Sequence, residues 1–259
     1  MIRATGLLAS TLLIAPAVSA QGRRAAPPSP APATTAPLIA PAGLKALKAR
    51  ELGPAVMGGR VSDIALDPAD PHTFYVALAT GGLMKTTDSG GSFKGVFEHE
   101  PVASTGAVAV APSNPKVVWL GTGEANDRNS SGWGHGVYRS TDGAATWTHA
   151  GLPGSKAIAR IVVHPSEPDT AWVAVAGDLW MPSGERGIYK TTDGGKTWKA
   201  VLAAPAPYGD RVGGGDLVLD PKDPQVLYAA LYARRRTPWS FTSGPDATDG
   251  KDLGGVFKT

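Results

Sequence analysis

One phrase occurs four times in this chain. It reads Gly82-Leu-Met-Lys-Thr-Thr-Asp-Ser-Gly-Gly-Ser-Phe93, Gly136-Val-Tyr-Arg-Ser-Thr-Asp-Gly-Ala-Ala-Thr-Trp147, Gly187-Ile-Tyr-Lys-Thr-Thr-Asp-Gly-Gly-Lys-Thr-Trp198 and Gly255-Val-Phe-Lys-Thr259. Recurrence every 50 to 70 residues marks a repeat architecture, whose units bury their faces only against one another. Thr259 aligns with Thr86, Ser140 and Thr191, so the fourth copy is expected to be cut short and the functional unit to extend further.

A second phrase recurs out of step with the first. It reads Ile64-Ala-Leu-Asp-Pro-Ala-Asp-Pro71, Val108-Ala-Val-Ala-Pro-Ser-Asn-Pro115, Ile161-Val-Val-His-Pro-Ser-Glu-Pro168 and Leu217-Val-Leu-Asp-Pro-Lys-Asp-Pro224. Each copy is a short apolar run closed by Pro-x-x-Pro. Proline cannot donate to a strand ladder, so these prolines end strands. A second apolar run follows each turn, at 74–78, 117–120, 171–175 and 226–231. These runs are rich in Val, Tyr, Trp and Phe, which suit a pleated surface. They are apolar on both faces, which predicts burial from both sides.

The chain of 259 residues has 33 Gly, 23 Pro and no Cys, and no periodic helical stretch follows residue 51. Short strands dense in turns predict an all-β fold. Without cysteine there are no disulfides and no thiolate metal sites. At the N-terminus Arg3, the apolar 4–17 and the small Val18-Ser19-Ala20 predict a signal peptide over 1–20, with cleavage before Gln21. The apolar run is shorter than the roughly 20 residues of a spanning helix, so no membrane span is expected after cleavage. Residues 21–49 are expected to be a disordered linker, because their Pro, Ala, Ser and Thr bury too little to offset ordering entropy. The mature protein is then exported, to the periplasm or the medium.

The net charge is +3 and the basic residues are scattered, so nucleic-acid binding is not expected. Arg234-Arg235-Arg236 is the local exception. As a loop triplet it suits phosphate or sulfate, and equally a solvated or salt-bridged turn. Five histidines (His72, His99, His135, His149, His164) show no metal-ligand spacing, and no metal or cofactor is expected.

Combining the two phrases gives four strands per unit. In unit one they run over 61–67, 74–79, 83–87 and 93–98; unit two covers 104–150, unit three 157–204, and unit four starts near 212. Such units are the blades of a β-propeller, so residues 50–259 are expected to form the N-terminal part of one, about three and a half blades. A Greek-key sandwich is the rival; it rarely repeats one turn sequence in the same relative place. The recurrent Ser/Thr-x-Asp-x-Gly-x-x-Trp/Phe falls in the turn between the third and fourth strands. There Asp88, Asp142 and Asp193 are expected to accept backbone N–H groups. The glycines allow positive φ, and Phe93, Trp147 and Trp198 anchor the turn. In the second copy Ala144 stands where a Gly is expected, beside Gly143. One carboxylate per turn is too few for calcium.

The phrase resembles the Asp-box, or BNR repeat, of sialidases, xyloglucan-cleaving glycosidases and sortilin. Gly58-Gly-Arg-Val-Ser-Asp-Ile-Ala-Leu-Asp-Pro68, Trp119-Leu-Gly-Thr-Gly-Glu-Ala-Asn126, Gly187 to Trp198 and Tyr232-Ala-Arg-Arg-Arg-Thr-Pro-Trp239 are similar to a narrower family of long exported propeller proteins. Such proteins are often called glycosyl hydrolase or sortilin-like for the repeat. The resemblance covers about 50–259 and implies a scaffold with further blades and domains downstream. Two departures stand out. The xyloglucan-cleaving family has an Asp just before the Gly-Gly of its first blade, and Leu78-Ala79-Thr80-Gly81-Gly82 has none. Sialidases use three arginines with a Tyr-Glu pair; Arg60, Arg160 and Arg211 open first strands, but no such pair can be assigned.

Successive turns of a meander alternate rims, so the links between second and third strands lie across the blade from the Asp-bearing turns. These links lengthen along the chain, and long loops on a rigid scaffold are where binding residues concentrate. Three of them carry one tryptophan each: Trp133, Trp180 and Trp239. Beside these stand Glu124, Asp127, Arg128 and His135, then Asp178, Glu185 and Arg186, then Arg234, Arg235 and Arg236. Trp133, Trp180, Trp239, Arg128, Arg186 and Arg235 are the candidate ligand contacts, for a sugar ring or a protein interface. The same rings would serve equally to pin loops folded over one another. Glycoside hydrolysis needs two carboxylates; Glu124, Asp127, Asp178 and Glu185 are available, and the pair is expected to include Glu124 or Asp178. The reading is an exported, sortilin-like propeller module that binds protein or glycan. The alternatives are a glycoside hydrolase of repeat type and a structural scaffold.

Overall fold

The computed structural model describes residues 59–206, 208–244 and 254–259. The expected leader over 1–20 and linker over 21–49 lie outside these residues. The described part belongs to a compact unit spanning Glu51–Thr259.

Its strands form four antiparallel sheets in chain order. The first blade is β1 (Val61–Leu66), β2 (Phe74–Leu78), β3 (Gly82–Thr86) and β4 (Lys94–Gly95). The second is β5 (Thr105–Val110), β6 (Val118–Thr122), β7 (Val137–Ser140) and β8 (Thr148–His149), and the third is β9 (Ile158–Val163), β10 (Ala171–Val175), β11 (Gly187–Thr191) and β12 (Lys199–Leu202). The fourth has β13 (Val212–Leu219), β14 (Leu227–Arg236), β15 (Phe241–Ser243) and β16 (Gly255–Lys258). Among the described residues there is no α-helix, only a 3-10 turn over Tyr208–Asp210.

The first strands β1, β5, β9 and β13 pack side by side in that order, which is the arrangement of propeller blades around an axis. The core lies between blades rather than within them. Tyr75, Ala77 and Leu83 meet Val118, Leu120 and Tyr138 at the first boundary. Trp119 and Val137 meet Ile158, Val173 and Val175 at the second. Trp172, Ala174 and Ile188 meet Leu217, Leu227 and Leu231 at the third. Alternate residues of one strand thus serve two boundaries: Val118 and Leu120 face one way and Trp119 the other. This is why β6 and β10 are buried at every position. On β2 every second residue is only half-buried. Ile64, Leu66, Val218 and Val256 on the outermost sheets are exposed.

The Asp-bearing turns sit on the same rim as the Pro-x-x-Pro turns, tied by Gly143 N–H to Lys116 carbonyl at 2.8 Å and Gly194 N–H to Asp169 carbonyl at 3.0 Å. Each carboxylate gathers its own turn. Asp142 accepts the N–H groups of Ala145 and Thr146 at 3.0 and 2.9 Å and the Thr146 hydroxyl at 2.6 Å. The tryptophans of the second and third turns reach the preceding blade, while Phe93 packs on Phe74 of its own blade. Trp147 Nε1 donates to the Val96 carbonyl and Trp198 Nε1 to the Ala150 carbonyl, both at 2.6 Å.

Several expectations change in detail. The fourth strands are shorter than expected, only Lys94–Gly95 in the first blade, because the turn itself occupies 88–93. Ala144 takes φ +71 itself, directly after Gly143 at φ +72, so the neighbouring glycine does not relieve it. Arg234, Arg235 and Arg236 are not in a loop: they end β14 and pair with β15 as a hairpin.

Candidate functional site

The rim opposite the Asp-bearing turns gathers the starts of the first strands and the links between second and third strands. Each first strand is bulged there at the same repeat position. Pairing with the second strand skips Ser62, Gly106, Ala159 and Gly215, one residue per blade. Counted back from the first proline of each Pro-x-x-Pro, these occupy one column of the repeat. A bulge leaves its residue unpaired and re-aims its neighbour. The neighbours are Asp63, Ala107, Arg160 and Asp216. Arg160 Nη1 meets Asp63 Oδ1 at 3.1 Å and its Nε meets Asp216 Oδ1 at 2.9 Å, so the third blade is tied to the first and the fourth. Burial alone would lower the Arg160 guanidinium, but its bonds to Asp216 and Asp63 outweigh this and hold it above its ordinary value.

The four bulged residues line a cleft of about 320 Å³, with Asn126, Asp127, Tyr232 and Arg234 at its border. The walls there are bare backbone for steric reasons. A Cβ on Gly106 would lie 2.1 Å from the Ile158 carbonyl oxygen, and one on Gly213 would lie 2.3 Å from that of Ala176. The cleft therefore presents peptide groups, four charged side chains (Asp127, Arg160, Asp216 and Arg234), the Asn126 amide and one phenol.

The loop after β6 forms one border. Its Glu124 is fully enclosed and receives Arg60 Nε at 2.7 Å and Nη2 at 2.5 Å. Its N–H is taken by the Ser104 hydroxyl at 3.1 Å. Glu124 thus clamps the start of the first blade to the second. Asp127 accepts Arg234 Nη1 at 2.6 Å, and the same nitrogen donates to the Ala125 carbonyl at 2.5 Å, joining this loop to β14 of the fourth blade.

A second cleft, also about 320 Å³, lies beside it and shares Arg234 as a wall. Trp180, Pro182, Asp210, Arg211, Arg235 and Thr242 are among its other walls. Asp178 is buried at its margin and accepts the Trp180 N–H at 2.8 Å and the Met181 N–H at 3.3 Å. Arg186 is 2% exposed and donates only to backbone carbonyls, those of Ala176, Asp178 and Met181. Burial, and then the charges of Arg235 and Arg234, lower its guanidinium to about 10.

The candidate ligand contacts therefore fall in different settings. Trp180 and Arg235 share the second cleft, and Arg186 lies buried next to it. Trp133 is 59% exposed on the loop after β6, where Arg128 is also exposed. Trp239 is 94% exposed at the tip of the β14–β15 hairpin. Arg60, Arg160 and Arg211 do not converge: they meet Glu124, the pair Asp63 and Asp216, and Asp210 respectively. Of the acidic residues on these loops, Glu185 is the one whose carboxyl is raised above its ordinary value. Burial causes this, against a hydrogen bond from Gly154. Among the described residues no three His, Asp or Glu lie together so as to hold a metal.

Asp63, Asp216 and Tyr232 were not singled out from sequence. The signal was present: one position before each apolar run of the second phrase the repeat reads Asp63, Ala107, Arg160, Asp216, charged in three of the four copies.

No family model matches the chain. A probable oligoxyloglucan-reducing end-specific xyloglucanase of Neosartorya fischeri is 28% identical over 160 residues, which is 55% of this chain and 18% of that protein. A xyloglucanase of Acetivibrio thermocellus is 28% identical over 183 residues, 56% of this chain and 20% of that protein. Among solved structures, the GH74 enzyme of Niastella koreensis matches with a TM-score of 0.52 and 25% identity, over 76% of this chain and 28% of that one. The GH74 xyloglucanase from Xanthomonas campestris matches with a TM-score of 0.54 and 17% identity, over 80% and 30%. The chain thus spans about a fifth of the length of the curated relatives it matches. The likeness is to glycosyl hydrolases, and it favours that reading over the sortilin-like one expected from the repeat.

Proposed function

We propose that this chain is part of an exported propeller protein of glycoside-hydrolase type, and that its share of the work is to hold a carbohydrate chain across the axial cleft. The observation that carries this reading is the column of four bulges. One displaced residue per blade opens a groove whose floor is backbone and whose border is Asn126, Asp216 and Tyr232. Peptide groups, a carboxylate and an aromatic ring are what a sugar's hydroxyls and apolar face require. The similarity to xyloglucanases makes a neutral β-glucan bearing side chains the first substrate to try. The predicted leader supports export, the turns read as Asp-boxes, and the exposed outer sheet faces read as seats for further blades.

Glu124 and Asp178 are committed to their loops. In this part of the chain Glu185, raised by burial, is the carboxyl to test as a general acid, although it lines neither cleft. The test uses the full-length protein with xyloglucan oligosaccharides. Tyr232→Ala and Asn126→Ala each weaken binding about tenfold, the loss of ~1.4 kcal/mol. Unchanged affinity in both variants rejects the axial cleft as the site. Release of reducing sugar that survives Glu185→Gln removes that residue from any proton transfer.

One feature favours a protein ligand instead. The hairpin tip holds Trp239 almost wholly in solvent, and lone rings of this kind anchor protein interfaces. If glycan binding is absent in the full-length protein, that surface becomes the leading candidate.

A further inference from the structure

Five guanidinium groups gather at the boundary of the third and fourth blades: Arg186, Arg211, Arg234, Arg235 and Arg236, of which Arg211 pairs with Asp210 at 3.5 Å. Few carboxylates answer them. Arg234 meets Asp127 at 2.6 Å, and Arg235 meets the Asp210 carboxylate at 3.8 Å while hydrogen-bonding the Asp210 carbonyl at 2.7 Å. Arg236 donates to the Asp127 carbonyl at 2.8 Å and lies over the Phe241 ring. Arg186 meets only carbonyls. Asp178, the remaining acid, already accepts two backbone N–H groups through one oxygen.

The guanidiniums are also short of acceptors. Arg186 Nε, Arg234 Nη2, Arg235 Nη1 and Arg236 Nε are enclosed and have no hydrogen-bond partner. Enclosed charged donors are normally paired, because the interior offers no water in exchange. Arg186 is 2% and Arg234 is 5% exposed, so bulk solvent does not screen these charges. Positive charge therefore exceeds negative charge in a place of low dielectric, beside a cleft lined by Arg211, Arg234 and Arg235, with Asp210 and Trp180 also in its wall. Its volume of about 320 Å³ falls within the usual range of small-ligand sites, roughly 300–1,000 Å³.

We propose that this second cleft is a subsite for an acidic sugar: the anionic group sits against Arg234 and Arg235, and the sugar ring lies on Trp180. The unanswered guanidinium charge attracts a carboxylate or a sulfate, with Arg235 the more exposed of the two groups, and the indole gives an apolar face for the ring. The subsite adjoins the axial cleft through Arg234, so it deepens the carbohydrate reading and rests on it. The glycan recognised would be one that carries charged units beside neutral ones.

The test is isothermal titration of the full-length protein with four probes: an oligogalacturonate, a sulfated oligosaccharide, a neutral xyloglucan oligosaccharide and inorganic phosphate. The expected result is that one of the two acidic glycans binds at least tenfold more tightly than the neutral one, and that rising salt removes the difference. The stronger of the two acidic probes identifies the group as carboxylate or sulfate. Arg235→Gln abolishes the preference while neutral binding persists. Arg235→Lys retains it, since the positive charge remains. Equal affinity for acidic and neutral glycans overturns the subsite and leaves the carbohydrate reading standing. Absence of binding by every glycan overturns both. Phosphate binding as tightly as either acidic glycan overturns the sugar component. A preference that survives Arg235→Gln, in a variant whose melting temperature is unchanged, overturns the assignment of Arg235.

Discussion

At the scale of single residues, the Asp-bearing turns make the most direct link between chemistry and stability. Asp88, Asp142 and Asp193 are each lowered from 3.8 to about 2, first by a side-chain hydroxyl (Ser92, Thr146, Thr197) and then by that residue's backbone N–H. A carboxyl whose folded value lies below its unfolded value stabilises the fold fully above the unfolded value, and that stability is lost as pH falls through the folded one. Acid should therefore loosen the blades between about pH 4 and pH 2. Asp142→Asn should flatten that part of the melting curve; an unchanged slope would show that the turn does not depend on the charge. Trp133 gives the opposite kind of residue. With its ring 59% exposed, Trp133→Ala should change stability by no more than ~0.5 kcal/mol. Glycan binding should fall roughly fivefold to tenfold if the ring stacks on sugar. Calorimetry and titration on the same variant separate the two. Glu124 differs from both: its enclosed pair with Arg60 predicts that Glu124→Gln lowers the melting temperature by several degrees, whatever it does to activity.

At the scale of elements, the first strands define the site. Their small residues at the bulge column let neighbouring backbones approach within contact distance. Gly106→Ala would drive a methyl group to 2.1 Å from the Ile158 carbonyl, separating β5 from β9. The expected loss is about 1–3 kcal/mol, that of overpacking a close contact. Gly184→Ala is the control, because nothing lies within 4 Å of that position and only a few tenths of a kcal/mol are expected. Denaturant melts of the two variants make the comparison. Strand identity was legible in the chain because apolar runs and Pro-x-x-Pro turns act locally. The bulges were not read, since a skipped pairing depends on the partner strand. Nor was the fate of Arg234, Arg235 and Arg236: three consecutive charges suggest a solvated loop, and only pairing with Phe241–Ser243 makes them a strand.

At the scale of the whole unit, stability resides at blade boundaries. Trp119 and Tyr75 pack across blade boundaries, so Trp119→Ala should cost ~3–5 kcal/mol and destabilise two blades together. Arg160 braces the axis by joining Asp63 and Asp216. Because its side chain is 39% exposed, solvent screens the pair, and Arg160→Met should cost only ~1 kcal/mol or less, more at low salt than at high. The amino-acid order alone determined the repeat, its four-strand unit and which rim bears the Asp turns, because those follow from local turn chemistry and the alternation of a meander. Which charged residues meet was decided by the tertiary structure. Asp63 and Arg160 lie far apart in the chain, and Arg234 reaches Asp127 only once the blades have closed around their axis. Sequence periodicity encodes the faces of one blade, whereas the cleft arises from displaced residues on four.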